Sequence, residues 1–123
     1  GAQMSIDKRQ FPRADIPCKV STIFGDRLLV FNSHTENIGI GGIMTILEEK
    51  LHISTVVDLE LLLLDRQKHL KCRAQVVWVK EVDPKQINPF LFETGIQFID
   101  ISDFDRTEIR KFVNTLSSQG GVG

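Results

Sequence analysis

The 123-residue sequence predicts a mainly β domain of the α+β class, a six-stranded antiparallel β-barrel with a C-terminal amphipathic helix. Three observations predict it. Apolar and polar residues alternate through about six separate runs, which is the period of half-buried strands. Turn-forming residues follow these runs so closely that the strands must be joined by tight turns, and tight turns make antiparallel neighbours. The end of the chain then changes from a period of two to helical spacing. Closing such a sheet into a barrel removes its exposed edges.

The elements follow in order. Residues 4–13 read as a flexible basic arm, in which Pro12 forbids a regular helix or a central strand. From Ala14 to Phe24 the residues Ile16, Cys18, Val20, Thr22 and Phe24 alternate with mainly polar neighbours. Gly25-Asp26 is a turn signal, and Arg27 to Ser33 resumes an apolar strand. Gly39, Gly41 and Gly42 crowd one turn before a strand from Ile43 to Leu47. Glu48 to Thr55 reads as a surface loop, Val56 to Leu64 as a strongly apolar strand, and Asp65 to Lys68 as its turn. Leu70 to Val82 is a long strand with Cys72, Ala74, Val76, Trp78 and Lys80 on one face, which reads Trp78 as a core residue, with a place near a ligand as the alternative. A Pro-containing loop from Asp83 to Pro89 leads to the last strand, Leu91 to Ile101, where Gly95 marks a bulge or a close backbone approach. Phe104, Ile109, Phe112, Val113 and Leu116 have helical spacing, with Asp105 as N-cap, Glu108 completing a capping box, and Phe104 and Ile109 forming a hydrophobic staple. Residues 14–116 form the barrel domain with its helix, and the Gly- and Ser-rich residues 117–123 read as a mobile tail.

Composition narrows the function. An apolar fraction of 41% and a charged fraction of 25% describe a globular chain, not a disordered one. With 15 basic and 16 acidic side chains there is no basic excess for binding a DNA or RNA polymer, although a local pair of cations still suits a compact anion. No apolar stretch reaches the length of a membrane span, and the start lacks the regions of a signal peptide, so the expectation is a cytoplasmic protein without membrane insertion. Gly1–Gln3, ahead of Met4, read as residues added for expression. Cys18 and Cys72 sit in apolar runs and read as buried thiols, with an inter-strand disulfide as the alternative. His34, His52 and His69 show no metal-ligand spacing, so no metal or cofactor is expected. No Ser/His/Asp or Cys/His set has catalytic spacing, and Glu48-Glu49 beside Lys50 reads as solvated surface, so the chain reads as no enzyme.

Two features carry chemistry. Arg9 and Arg13 stand four residues apart in the arm. Arginine suits phosphate and guanine because its planar fork donates paired hydrogen bonds and its face stacks on rings. Taken alone, such a stretch is ordinarily a solvated basic leader. The second feature is Thr35 to Ile43, where Gly39, Gly41 and Gly42 let the backbone take positive φ or approach an anion closely, and Asn37 offers both a donor and an acceptor to a base edge. Taken alone, this is equally a Gly-rich hairpin turn. A dinucleotide fold would open a helix at these glycines, and Ile43 to Leu47 offers no N-cap.

Taken together, the two features make the sequence resemble the PilZ family of bacterial domains, whose signature is an RxxxR arm followed some twenty to thirty residues later by (D/N)xSxxG. Arg9 and Arg13 match the arm, and Asn37 and Gly42 match the ends of the second motif. The likeness continues through Val76 to Val79, Gly95 to Phe98 and the closing helix, and spans Lys8 to Leu116. The resemblance implies a six-stranded antiparallel barrel that binds the second messenger cyclic di-GMP and signals to a downstream protein. It further implies that Arg9 and Arg13 grip guanines and phosphates, that Asn37 contacts a guanine, and that the Gly39, Gly41 and Gly42 turn lets the ligand lie against the barrel. Lys8, just before the first arginine, stands where the family distinguishes one bound dinucleotide from an intercalated pair. Gly39 replaces the family's Ser, so weakened binding is expected, with the Gly39 backbone recovering part of the lost contact. The competing expectation is a PilZ-like domain that binds no nucleotide and works through protein contacts alone. A homodimer is compatible with either.

Overall fold

The structure is a computed structural model and describes residues 15–63, 68–82 and 90–122. Its elements are β1 (Pro17–Phe24), β2 (Arg27–Ile38), β3 (Gly42–Leu47), β4 (Val56–Leu63), β5 (Lys68–Glu81), β6 (Phe92–Asp100) and α1 (Asp103–Val122). The strands close into a barrel in the order β1-β2-β3-β6-β5-β4, with every neighbouring pair antiparallel. The expected six-stranded barrel with one C-terminal helix is the observed fold.

Alternation places the core. Val20, Leu59, Leu61, Ala74 and Val76 point inward and are buried, and Ile109, Phe112 and Val113 of α1 join the same cluster. The helical spacing of those three residues, continued by the partly buried Leu116, makes one apolar stripe on α1. Cys18 and Cys72 are both buried free thiols on strands that flank β4, as the buried-thiol reading expects. Burial is the main cause that raises both their pKa values, and for Cys72, whose value reaches about 11, Asp105 and Asp100 add to it.

Three expectations change. β2 runs on to Ile38 instead of stopping at Ser33, because residues 34–38, polar up to Asn37, find ladder partners on both sides: His34 opposes Pro17, and Thr35 opposes Thr45. Tertiary pairing here overrides weak strand propensity. The helix cap is Ser102, not Asp105. The Ser102 hydroxyl accepts the Asp105 N–H at 3.1 Å, and the Ser102 carbonyl accepts the Arg106 N–H at 2.9 Å. Capping three residues earlier than expected adds a turn and leaves Asp103 and Asp105 in the first turn, where the helix dipole favours them. Phe104 consequently lies within the helix and 63% exposed, not ahead of it as a staple. Finally, α1 continues past Leu116 to Val122 into the segment expected to be a tail, since each residue added to a formed helix gains a hydrogen bond without a new nucleus.

Candidate functional site

The site is built on the outer face of β2, β3, β6 and β5. Over Ile43–Thr45 of β3 and Thr94–Ile96 of β6 the pairing is regular. Ile43 and Ile96 point inward, Met44 and Gly95 outward, and Thr45 and Thr94 inward again. The flanking strands each carry one residue more over the same distance. In β2 the register shifts between Thr35 and Asn37, and in β5 between Val76 and Trp78. The extra residues, Glu36 and Val77, are β-bulges, which re-aim the side chains that follow them.

The consequence is a row. Asn37 opposes Met44, Met44 opposes Gly95, and Gly95 opposes Trp78. Directly opposed residues share a face, so these four side-chain positions lie side by side on the outside of the barrel. Behind them lie two buried rows: Ile38, Ile43, Ile96 and Val76 on one side, and Thr35, Thr45 and Thr94 on the other. Without its bulge, strict alternation from Thr35 would turn Asn37 into the core.

Trp78 therefore departs from the core position, the first of the two expected for it. It is 40% exposed, and its indole lies flat on Gly95. A Cβ at Gly95 would stand 2.6 Å from Trp78 Cδ1 and closer still to Nε1 and Cε2. The expected close approach at Gly95 is thus a side chain packed on bare backbone. Lys80, two residues after Trp78, is turned outward by the same bulge. Strand alternation alone concealed this row. The paired signals that could have found it are a glycine and a tryptophan on adjacent strands.

None of Gly39, Gly41 and Gly42 has positive φ, and Gly41 has open space where a Cβ would stand, whereas at Gly42 a close approach requires glycine. Gly42 opens β3 so close to β6 that a Cβ would collide with the Ile96 carbonyl and lie 3.0 Å from Gln97 Cα. Gly41 is exposed, and its carbonyl accepts the Phe98 N–H at 2.9 Å. Gly39 is buried and donates its N–H to the Gly42 carbonyl at 2.9 Å. That N–H is spent on the turn, so the Gly39 amide donor does not replace the absent serine hydroxyl.

Lys8, Arg9 and Arg13 lie outside the described residues. The root of their segment lies within them. Ile16 sits beside Thr35, with the Thr35 N–H donating to the Ile16 carbonyl at 2.9 Å. The chain therefore enters the barrel next to the end of β2, two residues from Asn37.

Elsewhere, a shallow groove of about 510 Å³ crosses β1, β4 and β5 to the end of β6, where Lys19, Asp58, Glu60, Lys71, Arg73 and Asp100 alternate in sign from strand to strand. Cys72 backs this groove, but its raised pKa keeps the thiol protonated at neutral pH and poor as a nucleophile. Among the described residues no group of His, Cys, Asp and Glu could hold a metal ion, and no helix is long and apolar enough to cross a membrane.

The profile of the PilZ domain family matches residues 7–115. The chain belongs to the PilZ family. PilZ domains are receptor or adaptor modules and not enzymes. Among solved structures, the chain is similar to the Bacillus subtilis inhibitor of motility MotI/DgrA, with 19% identity and a TM-score of 0.64, covering 88% of this chain and 50% of that one. It is also similar to the PilZ domain of YcgR from Escherichia coli, a structure described as containing c-di-GMP, with 15% identity and a TM-score of 0.63, covering 92% and 94%. A third likeness is to MrkH of K. pneumonia, with 14% identity and a TM-score of 0.67, covering 89% and 48%. At these identities the likeness establishes the shared PilZ fold. The chain spans about half the length of MotI/DgrA and MrkH. A search of curated proteins gives no significant match.

Proposed function

We propose that this PilZ domain is a cytoplasmic receptor for cyclic di-GMP, which it binds on the outer row of Asn37, Met44, Gly95 and Trp78 under the arm that carries Arg9 and Arg13. One observation carries the reading. Two bulges turn Asn37 and Trp78 onto one outward row at the end of the barrel where the arm begins. The parts suit a cyclic dinucleotide. An amide reads a guanine edge with its donor and acceptor together. An exposed indole on a flat backbone offers a stacking surface for a base. Paired guanidiniums on the arm suit phosphates and guanines. The signal passes onward by contact with a downstream protein. Membership of the PilZ family and the likeness to a c-di-GMP-containing domain of YcgR support the choice of ligand.

Calorimetric titration tests it, with cyclic di-GMP against GMP as control and Trp78 emission followed in parallel. Saturable heat with the dinucleotide alone and an emission change are expected, with Asn37→Ala about tenfold weaker from the loss of one to two hydrogen bonds. The same titration returns the stoichiometry on which Lys8 bears, and sedimentation reads whether the protein is a homodimer. A second reading is favoured by Gly39, which has no hydroxyl and whose N–H is committed to Gly42. On that reading the domain binds no nucleotide and acts through protein contacts alone. No heat and no emission change at any accessible ligand concentration would establish it.

A further inference from the structure

The barrel closes, but its strands are unequal: β2 has 12 residues and β3 has 6. Thr35 opposes Thr45, so β3, which ends at Leu47, reaches back along β2 only to Ser33, whose hydroxyl donates to the Ile46 carbonyl at 3.0 Å. Before that point β2 keeps β1 on one side, in unbroken register from Arg27 to His34. On its other side no strand pairs with Arg27–Asn32 among the described residues. The β1–β2 hairpin therefore carries a free edge.

Backbone direction tells which groups that edge offers. Thr35 donates its N–H to the Ile16 carbonyl, on the β1 side. Ladder groups alternate along an antiparallel strand, so those of Arg27, Leu29 and Phe31 also turn to β1, while those of Leu28 and Val30 aim away from it. Natural proteins blunt such an edge with charge, proline or a bulge. From Leu28 to Asn32 there is no charge and no proline, and the bulge of β2 comes only after Thr35. The side chains along the edge are apolar and outward. Leu28, 67% exposed, directly opposes Ile23, 73% exposed. Ser21 opposes Asp58, so the exposed Val56 falls beside Ile23, and the exposed Val30 continues the patch on β2.

We infer that this edge is a homodimer interface, in which β2 of one copy pairs antiparallel with β2 of a second copy across a two-fold axis. An antiparallel pair of one strand with itself is self-complementary, as a two-fold requires. Set with Leu28 opposite Val30 of the second copy, it joins the free donors and acceptors of both edges. Opposed residues share a face, so the same register merges two apolar patches into one. Charge agrees. The antiparallel direction carries the Asp26-Arg27 end of one hairpin to the place where β3 of the other copy stops, and there the exposed Glu48, Glu49 and Lys50 follow. Arg27 meets carboxylates and Asp26 meets an ammonium. The contact is short, so the dimer is a weak one that dissociates in the micromolar range. It does not depend on the receptor reading.

Sedimentation equilibrium over a micromolar concentration series reads the association state, and amide exchange at Leu28 and Val30 is followed over the same series. A dimer is expected, with both amides gaining protection as concentration rises, while the Leu29 amide, turned to β1, stays protected throughout. Val30→Lys sets an ammonium on each copy's edge and should weaken association by more than about tenfold, with the urea midpoint showing that it folds. Arg27→Glu should weaken association about 3- to 10-fold, and adding Glu48→Lys and Glu49→Lys should restore it. A monomer at every concentration overturns the inference. So does a dimer in which Leu28 and Val30 exchange freely, because the copies then meet elsewhere. Amides protected equally at all concentrations overturn it too, because the chain then covers its own edge. A charge swap that fails to rescue Arg27→Glu overturns the two-fold pairing.

Discussion

Gly95→Ala puts one methyl group where the Trp78 indole lies. Three ring atoms stand too close for a Cβ, with Cδ1 at 2.6 Å and Nε1 and Cε2 nearer still. A strand backbone cannot shift that far between two neighbours, so the indole must tilt away. Trp78 is 40% exposed, and the covered three-fifths amount to about 150 Å² of the roughly 250 Å² a tryptophan can bury. At about 25 cal/mol per Å², complete loss of that contact costs about 4 kcal/mol. A tilted ring keeps most of its neighbours, so the expected cost is about 1–2 kcal/mol, in the range of local repacking. The sign is informative. Alanine in a strand is normally better than glycine by about 0.5–1 kcal/mol, so in a Trp78→Ala background the same substitution should become neutral or stabilising. Trp78 is the sole tryptophan and the chain has no tyrosine, so its emission reports this one ring. Gly95→Ala should shift the emission to the red, increase acrylamide quenching and lower the urea midpoint, with unchanged far-ultraviolet circular dichroism. Unchanged emission and an unchanged midpoint would refute the packing of the indole on Gly95, and with it the stacking surface.

Three further outcomes are expected. Arg13→Ala should weaken cyclic di-GMP binding by about one to two decades, the worth of one charge-assisted contact, while shifting stability by no more than about 0.5 kcal/mol; paired calorimetry and urea unfolding separate the two, and a collapse in stability would make Arg13 a structural residue. Gly39→Ser restores the missing hydroxyl at a position without positive φ, and should tighten binding by up to about one decade; an unchanged titration means that the hydroxyl position does not face the ligand. Burial first, then Asp105 and Asp100, raise the Cys72 thiol from an ordinary value of 9.0 to about 11. The folded state thus holds its proton more tightly than the unfolded state, so the stability is fully present below pH 9 and is lost as pH rises from there towards 11. Unfolding followed across that window should show the decline, and Cys72→Ala should flatten it.

Much of the fold was legible because it follows from period. Alternation at Cys18, Val20, Cys72, Ala74 and Val76 located inward faces correctly, and the spacing of Ile109, Phe112 and Val113 located the helix stripe. What escaped is what breaks period without changing composition. Glu36 and Val77 are ordinary strand residues, and nothing about them announces an inserted position, yet they reverse the facing of Asn37 and Trp78. The helix cap was misplaced for another reason. Ser102 and Asp105 both satisfy local capping rules, and only the bonds to Ser102 decide between them. Gly42 was legible as a necessary glycine, but the need comes from the nearness of β6, a contact between residues far apart in sequence.

The ring of strands is complete, with β1 hydrogen-bonded to β2 on one side and β4 on the other. A closed hoop has no free stave. To bend one strand is to strain its neighbours all the way round, so a molecule landing on the outside has no seam to pry open. On the receptor reading, occupancy would leave the frame as it was and alter only what the frame displays. On that reading, a partner would meet a changed surface, with the nucleotide part of the face presented to it, rather than a changed shape. Read so, the vocabulary of the domain is written on its exterior, and variation of that exterior between relatives would give one rigid scaffold many different listeners.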